Sequence, residues 1–198
     1  MNRIKKLVLA SASPRRRELF AQIGILPEIV PSDAEEKITT DVPEEAVKEL
    51  SRVKALDVAR FQEAGTYVIG ADTVVAAGGE ILGKPAGHEE AYRMISLLEG
   101  KTHQVYTGVT LVFCGKDGNQ VRTFVEKTDV MVYPMSKEEI KTYTGSEEPM
   151  DKAGAYGIQG KFAAFIKGID GDYNNVVGLP VGRVYQEIKQ MLEQEDFE

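Results

Sequence analysis

The chain has little of the chemistry that disulfides and zinc sites require. Its 198 residues include one cysteine and two histidines, so no intrachain disulfide can form and a histidine-rich zinc site is excluded. Cys114 ends the apolar run Leu111–Cys114, where we expect a small core residue rather than a nucleophile. Any metal is then expected to be a hard ion, Mg²⁺ or Mn²⁺, held by carboxylate and phosphate oxygens.

Positive charge and long apolar runs are also scarce. Lysine and arginine together number 24 against 31 acidic residues, which gives a formal net charge of −7. This balance disfavours non-specific binding to nucleic acid or to anionic membranes, so we expect neither as a partner. No apolar run approaches the roughly 18 residues of a membrane span and no signal peptide is recognisable, which predicts a soluble cytoplasmic protein.

Helix and strand patterns alternate along the chain without a repeat or a visible linker. Since hairpins occur beside crossovers, the pattern predicts an α/β fold with a mixed sheet flanked by helices, as one domain over 1–198 with two lobes around a cleft. The predicted strands cover 4–10, 28–31, 67–77, 80–85, 102–113, 121–132 and 162–167. The predicted helices cover 14–23, 43–64, 88–98, 136–143 and 179–193.

The strongest local concentration of positive charge follows the first strand, in the segment Ser11-Ala-Ser13-Pro-Arg15-Arg16-Arg17. Pro14 suits the first turn of a helix, and Arg16 stands where a capping box would place an acid. Cations at a helix N-terminus oppose the helix dipole by roughly 0.3–1 kcal/mol each. Unless these side chains fold away from the axis, a bound polyanion such as a triphosphate must compensate them, although a solvated basic turn is the plainer alternative.

Asp72 interrupts an otherwise apolar strand, Val68-Ile-Gly-Ala-Asp-Thr-Val-Val75. A carboxylate in this setting either closes a turn, is paired with an arginine, or acts as a general base or metal ligand at a cleft. Gly70 would let a ligand or another backbone come close. Because neighbouring strand residues face opposite sides, the strand must end, twist or bulge if both Asp72 and Thr73 touch one ligand.

Four further positions carry weaker signals. Glu36 lies in a charged segment, where a solvated loop is the ordinary interpretation. Lys54 lies on a mostly apolar helical face, where a lysine usually extends its ammonium group to solvent. Lys84 lies at a hairpin end, where an ordinary exposed lysine is expected. Gln159 stands among glycines at 154, 157 and 160, where its amide could pair with the edge of a nucleobase or simply belong to a structural turn.

Taken together, these motifs resemble the Maf family of nucleoside triphosphate pyrophosphatases over essentially the whole chain. The matching stretches are Leu9-Ala-Ser-Ala-Ser-Pro-Arg-Arg16, Ile69-Gly-Ala-Asp-Thr-Val-Val75, Gly83-Lys-Pro85 and Glu148-Pro-Met-Asp-Lys-Ala-Gly-Ala-Tyr-Gly-Ile-Gln-Gly160. Within the family, the chain is most similar to the branch that hydrolyses dTTP and UTP in a house-cleaning role. The resemblance implies an elongated Maf/ITPase-like sheet, a divalent cation (Mg²⁺ or Mn²⁺) and a homodimer.

The resemblance also implies roles for individual residues. Asp72 matches the family's proposed proton acceptor, and Arg15, Thr73 and Gln159 match its specificity positions. The other matched pocket positions are Ser11, Arg16, Glu36, Lys54 and Lys84, with Glu36 expected to be a metal ligand. Two alternatives stay open, namely a 7-methyl-GTP pyrophosphatase and a regulator of septum formation that acts through protein contacts.

Overall fold

The computed structural model describes residues 4–194. The predicted domain ends at residues 1 and 198 therefore lie outside the described part. Strand β1 (Lys6–Leu9) leads into helix α1 (Pro14–Gln22), strand β2 (Glu28–Ile29), helix α2 (Pro43–Ala59), the hairpin of β3 (Thr66–Ala77) and β4 (Glu80–Leu82), and helix α3 (His88–Leu98). Strands β5 (Thr102–Cys114) and β6 (Asn119–Val132), helix α4 (Lys137–Thr144), strand β7 (Ile166–Asp170) and helices α5 (Tyr173–Val177) and α6 (Val181–Gln194) follow.

The strands form one seven-stranded mixed sheet in the order β2-β1-β3-β5-β6-β7, with β4 paired to β3. β1 runs parallel to β2 and β3, and the remaining pairs are antiparallel. The prediction of a mixed sheet flanked by helices is therefore confirmed. No helix within residues 4–194 is both long enough and apolar enough to cross a membrane.

Several sequence-based assignments were wrong. Helix α5 was not predicted, β4 ends at Leu82 rather than at residue 85, and two further differences concern α2 and β7. Helix α2 ends at Ala59 rather than near residue 64, and residues 60–65 form turns. The segment predicted as a strand at 162–167 is mostly a 3₁₀ helix (Lys161–Phe165), and β7 begins only at Ile166. Phe162, whose ring is buried against Tyr143 and Tyr156, gives this short helix the apolar content that resembled a strand.

The two faces of the sheet carry separate cores. Helix α2 packs Ala55 and Val58 onto a small cluster that includes Val68 and Val112, while α1, α3 and α6 cover the larger cluster on the opposite face. Cys114 is a free buried thiol in the smaller cluster, as the sequence predicted. One helix therefore covers one face of β3 close to its polar residues.

Gly70 permits an unusually close approach between α2 and the sheet. A Cβ atom at Gly70 would lie 2.6 Å from the backbone nitrogen of Ala55 and 2.8 Å from its Cβ atom, with the carbonyl oxygen of Ser51 nearer still. The expectation that another backbone comes close here is confirmed, and that backbone belongs to α2. The contact sets Lys54 directly above the sheet.

Strand β3 has an open stretch along one edge. β1 pairs only with 66–69 of β3 and β4 only with 75–77, so between them no strand within residues 4–194 pairs with this edge of 70–74. On the other edge, β5 pairs with β3 continuously from Tyr67 to Ala76. The open edge is where Asp72 and Thr73 lie.

Candidate active site

A cavity of about 610 Å³ opens at the open edge of β3, a volume typical of small-molecule sites. The turn after β1, the loop before α2, α2 itself, the end of the β3–β4 hairpin and the 151–160 segment all contribute to its wall. All nine residues predicted from sequence line it, namely Ser11, Arg15, Arg16, Glu36, Lys54, Asp72, Thr73, Lys84 and Gln159. Arg17 is exposed and does not line it.

Lys54 stands between two carboxylates on one side of this cavity. Its Nζ atom lies 2.6 Å from Asp72 Oδ1 and 3.0 Å from Glu36 Oε2. The Lys54 and Asp72 side chains are each only 12% exposed, whereas Glu36 is 54% exposed. The lysine on an apolar helical face therefore does not snorkel to solvent, because it neutralises a carboxylate that would otherwise be buried alone.

Arg16 is buried on the other side of β3. Its guanidinium donates to the carbonyl oxygen of Gly178, to Ser11 Oγ and to Thr73 Oγ1 at 2.8, 3.0 and 3.1 Å. Burial lowers the pKa of Arg16, and the negative charge of Asp72 opposes this effect. The Arg16 side chain thus folds away from the helix axis. This arrangement reduces its repulsion from the helix dipole without requiring a bound polyanion.

Asp72 and Thr73 face opposite sides of an unbroken strand. Asp72 contacts α2, whereas Thr73 Oγ1 lies 2.9 Å from Thr107 Oγ1 and 3.3 Å from the Gly178 carbonyl oxygen. The β3–β5 register runs through both residues without a bulge or a break. Both side chains reach one cavity because the cavity lies along the open strand edge and extends over both faces.

Arg15 pairs with an acid that sequence reasoning did not assign. Its Nη1 atom lies 2.9 Å from Asp151 Oδ2, and Lys152 also binds Asp151. Burial acts to raise the pKa of Asp151, but the hydrogen bonds from Lys152 and Arg15 outweigh it and the pKa is lowered. The two partners are 136 positions apart in the sequence. The only sequence signal for their pairing is that they carry opposite charges and lie in two of the stretches that resemble the family.

The segment 151–160, which carries Gln159, forms a further part of the cavity wall. It is anchored to the β3–β4 hairpin because Gly154 N–H donates to the Gly83 carbonyl oxygen at 3.0 Å. Ala155 adopts a positive φ of 61°, a strained conformation for a residue with a side chain, and it is fully buried. Such an outlier persists only where the surroundings over-determine the backbone, so this wall has a fixed shape.

His103 and Tyr156 form a buried pair at this wall. His103 Nε2 lies 2.8 Å from the Tyr156 hydroxyl, and the two rings meet edge to face. Burial lowers the pKa of His103 to about 4, with Asp129 acting in the opposite direction. The ring is therefore neutral near pH 7 and is a packing and hydrogen-bonding group rather than a cation for a ligand.

The donor set fits a hard divalent cation bound together with phosphate. Within residues 4–194, no group of three or more His, Cys, Asp or Glu side chains converges as a metal site. Asp72 and Glu36 nevertheless share one cation, Lys54, and Mg²⁺ commonly uses one or two carboxylates with substrate phosphates and water. Asp72 and Glu36 thus fit a metal ion whose remaining ligands are water molecules and, when substrate is bound, phosphate oxygens.

Comparisons with known proteins agree over almost the full chain. The family model described as "Maf-like protein" matches residues 6–191. The dTTP/UTP pyrophosphatase of Agathobacter rectalis is 54% identical over 95% of this chain and 98% of its own. The dTTP/UTP pyrophosphatases of Lachnoclostridium phytofermentans and Carboxydothermus hydrogenoformans are 48% and 50% identical, over 93% of this chain and 94% and 98% of theirs. A solved HAM1 protein from Coxiella burnetii covers 64% of this chain and 72% of its own at 15% identity, with a TM-score of 0.41.

Proposed function

The chain belongs to the Maf-like protein family, and on this premise we propose that it hydrolyses dTTP and UTP to the monophosphate and pyrophosphate. The relatives that carry this activity in their names match nearly the whole chain at about half identity. One structural observation supports the proposal most directly. Four cationic side chains, Arg15, Arg16, Lys54 and Lys84, converge with the carboxylate of Asp72 in one cavity.

The cationic groups bind the triphosphate in this proposal. A triphosphate carries several negative charges, and arginine and lysine side chains neutralise them in a partly buried site where electrostatic interactions are strong. Arg16 is already held by three neutral acceptors, so its position is set before the nucleotide arrives. Preorganised positive charge of this kind stabilises charge that develops on the leaving pyrophosphate.

Asp72 is the proposed general base. It accepts a proton from a water molecule that attacks the α-phosphorus, while the bond from that phosphorus to the bridging oxygen breaks and pyrophosphate leaves. Lys54 holds Asp72 at the cavity wall through the 2.6 Å contact. A divalent cation, Mg²⁺ or Mn²⁺, bound by Glu36 and Asp72 would supply neutralisation of phosphate oxygens.

We assign base selection to the wall formed by the 151–160 segment. Gln159 offers both a donor and an acceptor and lines the same cavity as the phosphate-binding cations. Arg15 and Thr73 complete the specificity positions that the family resemblance implies. Gln159 is exposed, so a base that covers its amide must pair with it, because polar atoms covered without a partner cost binding free energy.

A substitution of Asp72 tests the proposal. We expect the parent protein with Mg²⁺ or Mn²⁺ to release pyrophosphate from dTTP and UTP faster than from 7-methyl-GTP. The Asp72→Asn variant should lose about 10²–10⁴-fold in kcat, the usual contribution of a general base. The matched control is Asp117→Asn, an exposed position in the β5–β6 turn that does not line the cavity.

Either of two results would contradict the proposal. Full activity of the Asp72→Asn variant, with unfolding temperature and circular dichroism unchanged, would remove Asp72 from the mechanism. Faster hydrolysis of 7-methyl-GTP would reassign the substrate.

We also propose a cytoplasmic location and a homodimer. The location is the expectation from the sequence, and the homodimer comes from the family resemblance. The dimer is tested by the sedimentation mass of the purified protein.

A further inference from the structure

The backbone around Gln159 is held from outside the cavity by two residues that do not line it, Tyr143 and Glu148. We propose that Tyr143 and Glu148 are positioning residues that set nucleobase preference by fixing the backbone on both sides of Gln159. The inference rests on the proposed function, because it assumes that Gln159 faces the base.

Tyr143 acts at Gly157, two residues before Gln159. Tyr143 comes from α4, is 5% exposed, and its ring packs on Phe162 at a centroid distance of 5.1 Å. Burial raises the pKa of the Tyr143 hydroxyl, the Gly157 backbone opposes this larger effect as a hydrogen-bond partner, and the hydroxyl lies 3.5 Å from its acceptor Glu148 Oε1. A phenol held by packing therefore fixes the start of the 157–160 turn.

Glu148 acts at Gly160, directly after Gln159. Its carboxylate lies so close to the Gly160 backbone that a Cβ atom at this position would collide with it. The Glu148 main chain is itself fixed, because its carbonyl oxygen accepts a hydrogen bond from Lys152 Nζ at 2.6 Å. The stem of Lys152 in turn covers Gly157, where a Cβ atom would lie 2.7 Å from Lys152 Cε.

Gln159 thus lies between Gly157, which contacts the side chain of Lys152, and Gly160, which contacts the carboxylate of Glu148. Asp72, Lys54 and Arg16 belong to other elements and have no hydrogen bond to Tyr143 or Glu148 among the contacts of residues 4–194. Loss of the Tyr143 hydroxyl should therefore change the preference among nucleobases and leave the affinity for the triphosphate unchanged.

The experiment compares Tyr143→Phe with Tyr133→Phe, a matched change at a tyrosine that is 48% exposed and does not line the cavity. The readouts are kcat/KM for UTP and for GTP, and inhibition by inorganic tripolyphosphate, a probe that has no base. We expect the UTP-to-GTP ratio to fall about 3- to 10-fold in Tyr143→Phe, as for loss of one ordinary hydrogen bond, with the tripolyphosphate inhibition constant unchanged. Tyr133→Phe should change neither quantity.

An unchanged UTP-to-GTP ratio, or an equal loss for both nucleotides and tripolyphosphate, would overturn the proposal. If Tyr143→Phe fails to fold, Glu148→Gln carries the same test, because Glu148 is only partly buried and its amide replacement keeps the size of the side chain. If the parent protein releases pyrophosphate from no nucleotide, the proposed function falls and this inference falls with it. If the parent protein releases pyrophosphate and the UTP-to-GTP ratio of kcat/KM is the same in the variant, only this inference is overturned.

Discussion

A single methyl group at Gly70 should disturb both stability and activity, because α2 rests on that position. In Gly70→Ala, the new Cβ atom would lie 2.6 Å from the Ala55 nitrogen, where ordinary contact begins near 3.4 Å. Helix α2 must therefore retreat by about 1 Å at Ala55, the neighbour of Lys54. Overpacking of this kind usually costs about 1–3 kcal/mol.

The expected changes follow from that displacement. For a domain of this size, 1–3 kcal/mol corresponds to a fall in unfolding temperature of about 2–12 °C. Lys54 would move from its 2.6 Å contact with Asp72, and misplacement of catalytic groups by about 1 Å can reduce turnover by about 10²-fold. Differential scanning calorimetry and steady-state pyrophosphate release measure the two effects.

The matched control is Gly182→Ala. Gly182 lies in the first turn of α6, where a Cβ atom would meet nothing within 4 Å. Alanine there should leave activity unchanged and raise stability by up to about 1 kcal/mol, since alanine is the better helix former. An unfolding temperature within about 1 °C of the parent and full activity in Gly70→Ala would refute the close-packing argument.

Two further predictions concern charge. Lys54→Met should tighten binding of Mn²⁺ to the nucleotide-free protein roughly tenfold, because the variant removes the ammonium group between Glu36 and Asp72 from a partly exposed site. Electron paramagnetic resonance of free Mn²⁺ measures the affinity, and an unchanged affinity would contradict the prediction. His103 has a folded pKa of about 4 against about 6.5 when unfolded, so the unfolded chain binds the extra proton and stability should fall by up to about 3 kcal/mol as the pH drops from 6.5 to 4. Urea unfolding should show a shallower pH dependence for His103→Gln, and equal slopes would count against the buried neutral ring.

The members of the site could be predicted from sequence better than their contacts. Arg16 and Asp72 are conspicuous because each breaks a local rule, a cation at a helix start and an acid in an apolar strand. The Arg15–Asp151 pair and the Gly178 acceptor join residues from distant parts of the chain, and no local pattern reports such contacts. The same limit applies to Phe162, whose apolar environment is tertiary and so favoured the wrong strand prediction.

The missing neighbour on one side of 70–74 of β3 would set the stereochemistry of the proposed reaction. A phosphorus atom at a bare strand edge can meet Asp72 from one face and the Arg16–Thr73 pair from the other. In-line displacement requires the entering and departing oxygens to lie on opposite sides of phosphorus. A strand paired along its whole length would separate the two faces, so in the proposed reaction the short pairing of β1 and β4 with β3 would let one small ligand contact both faces of the sheet.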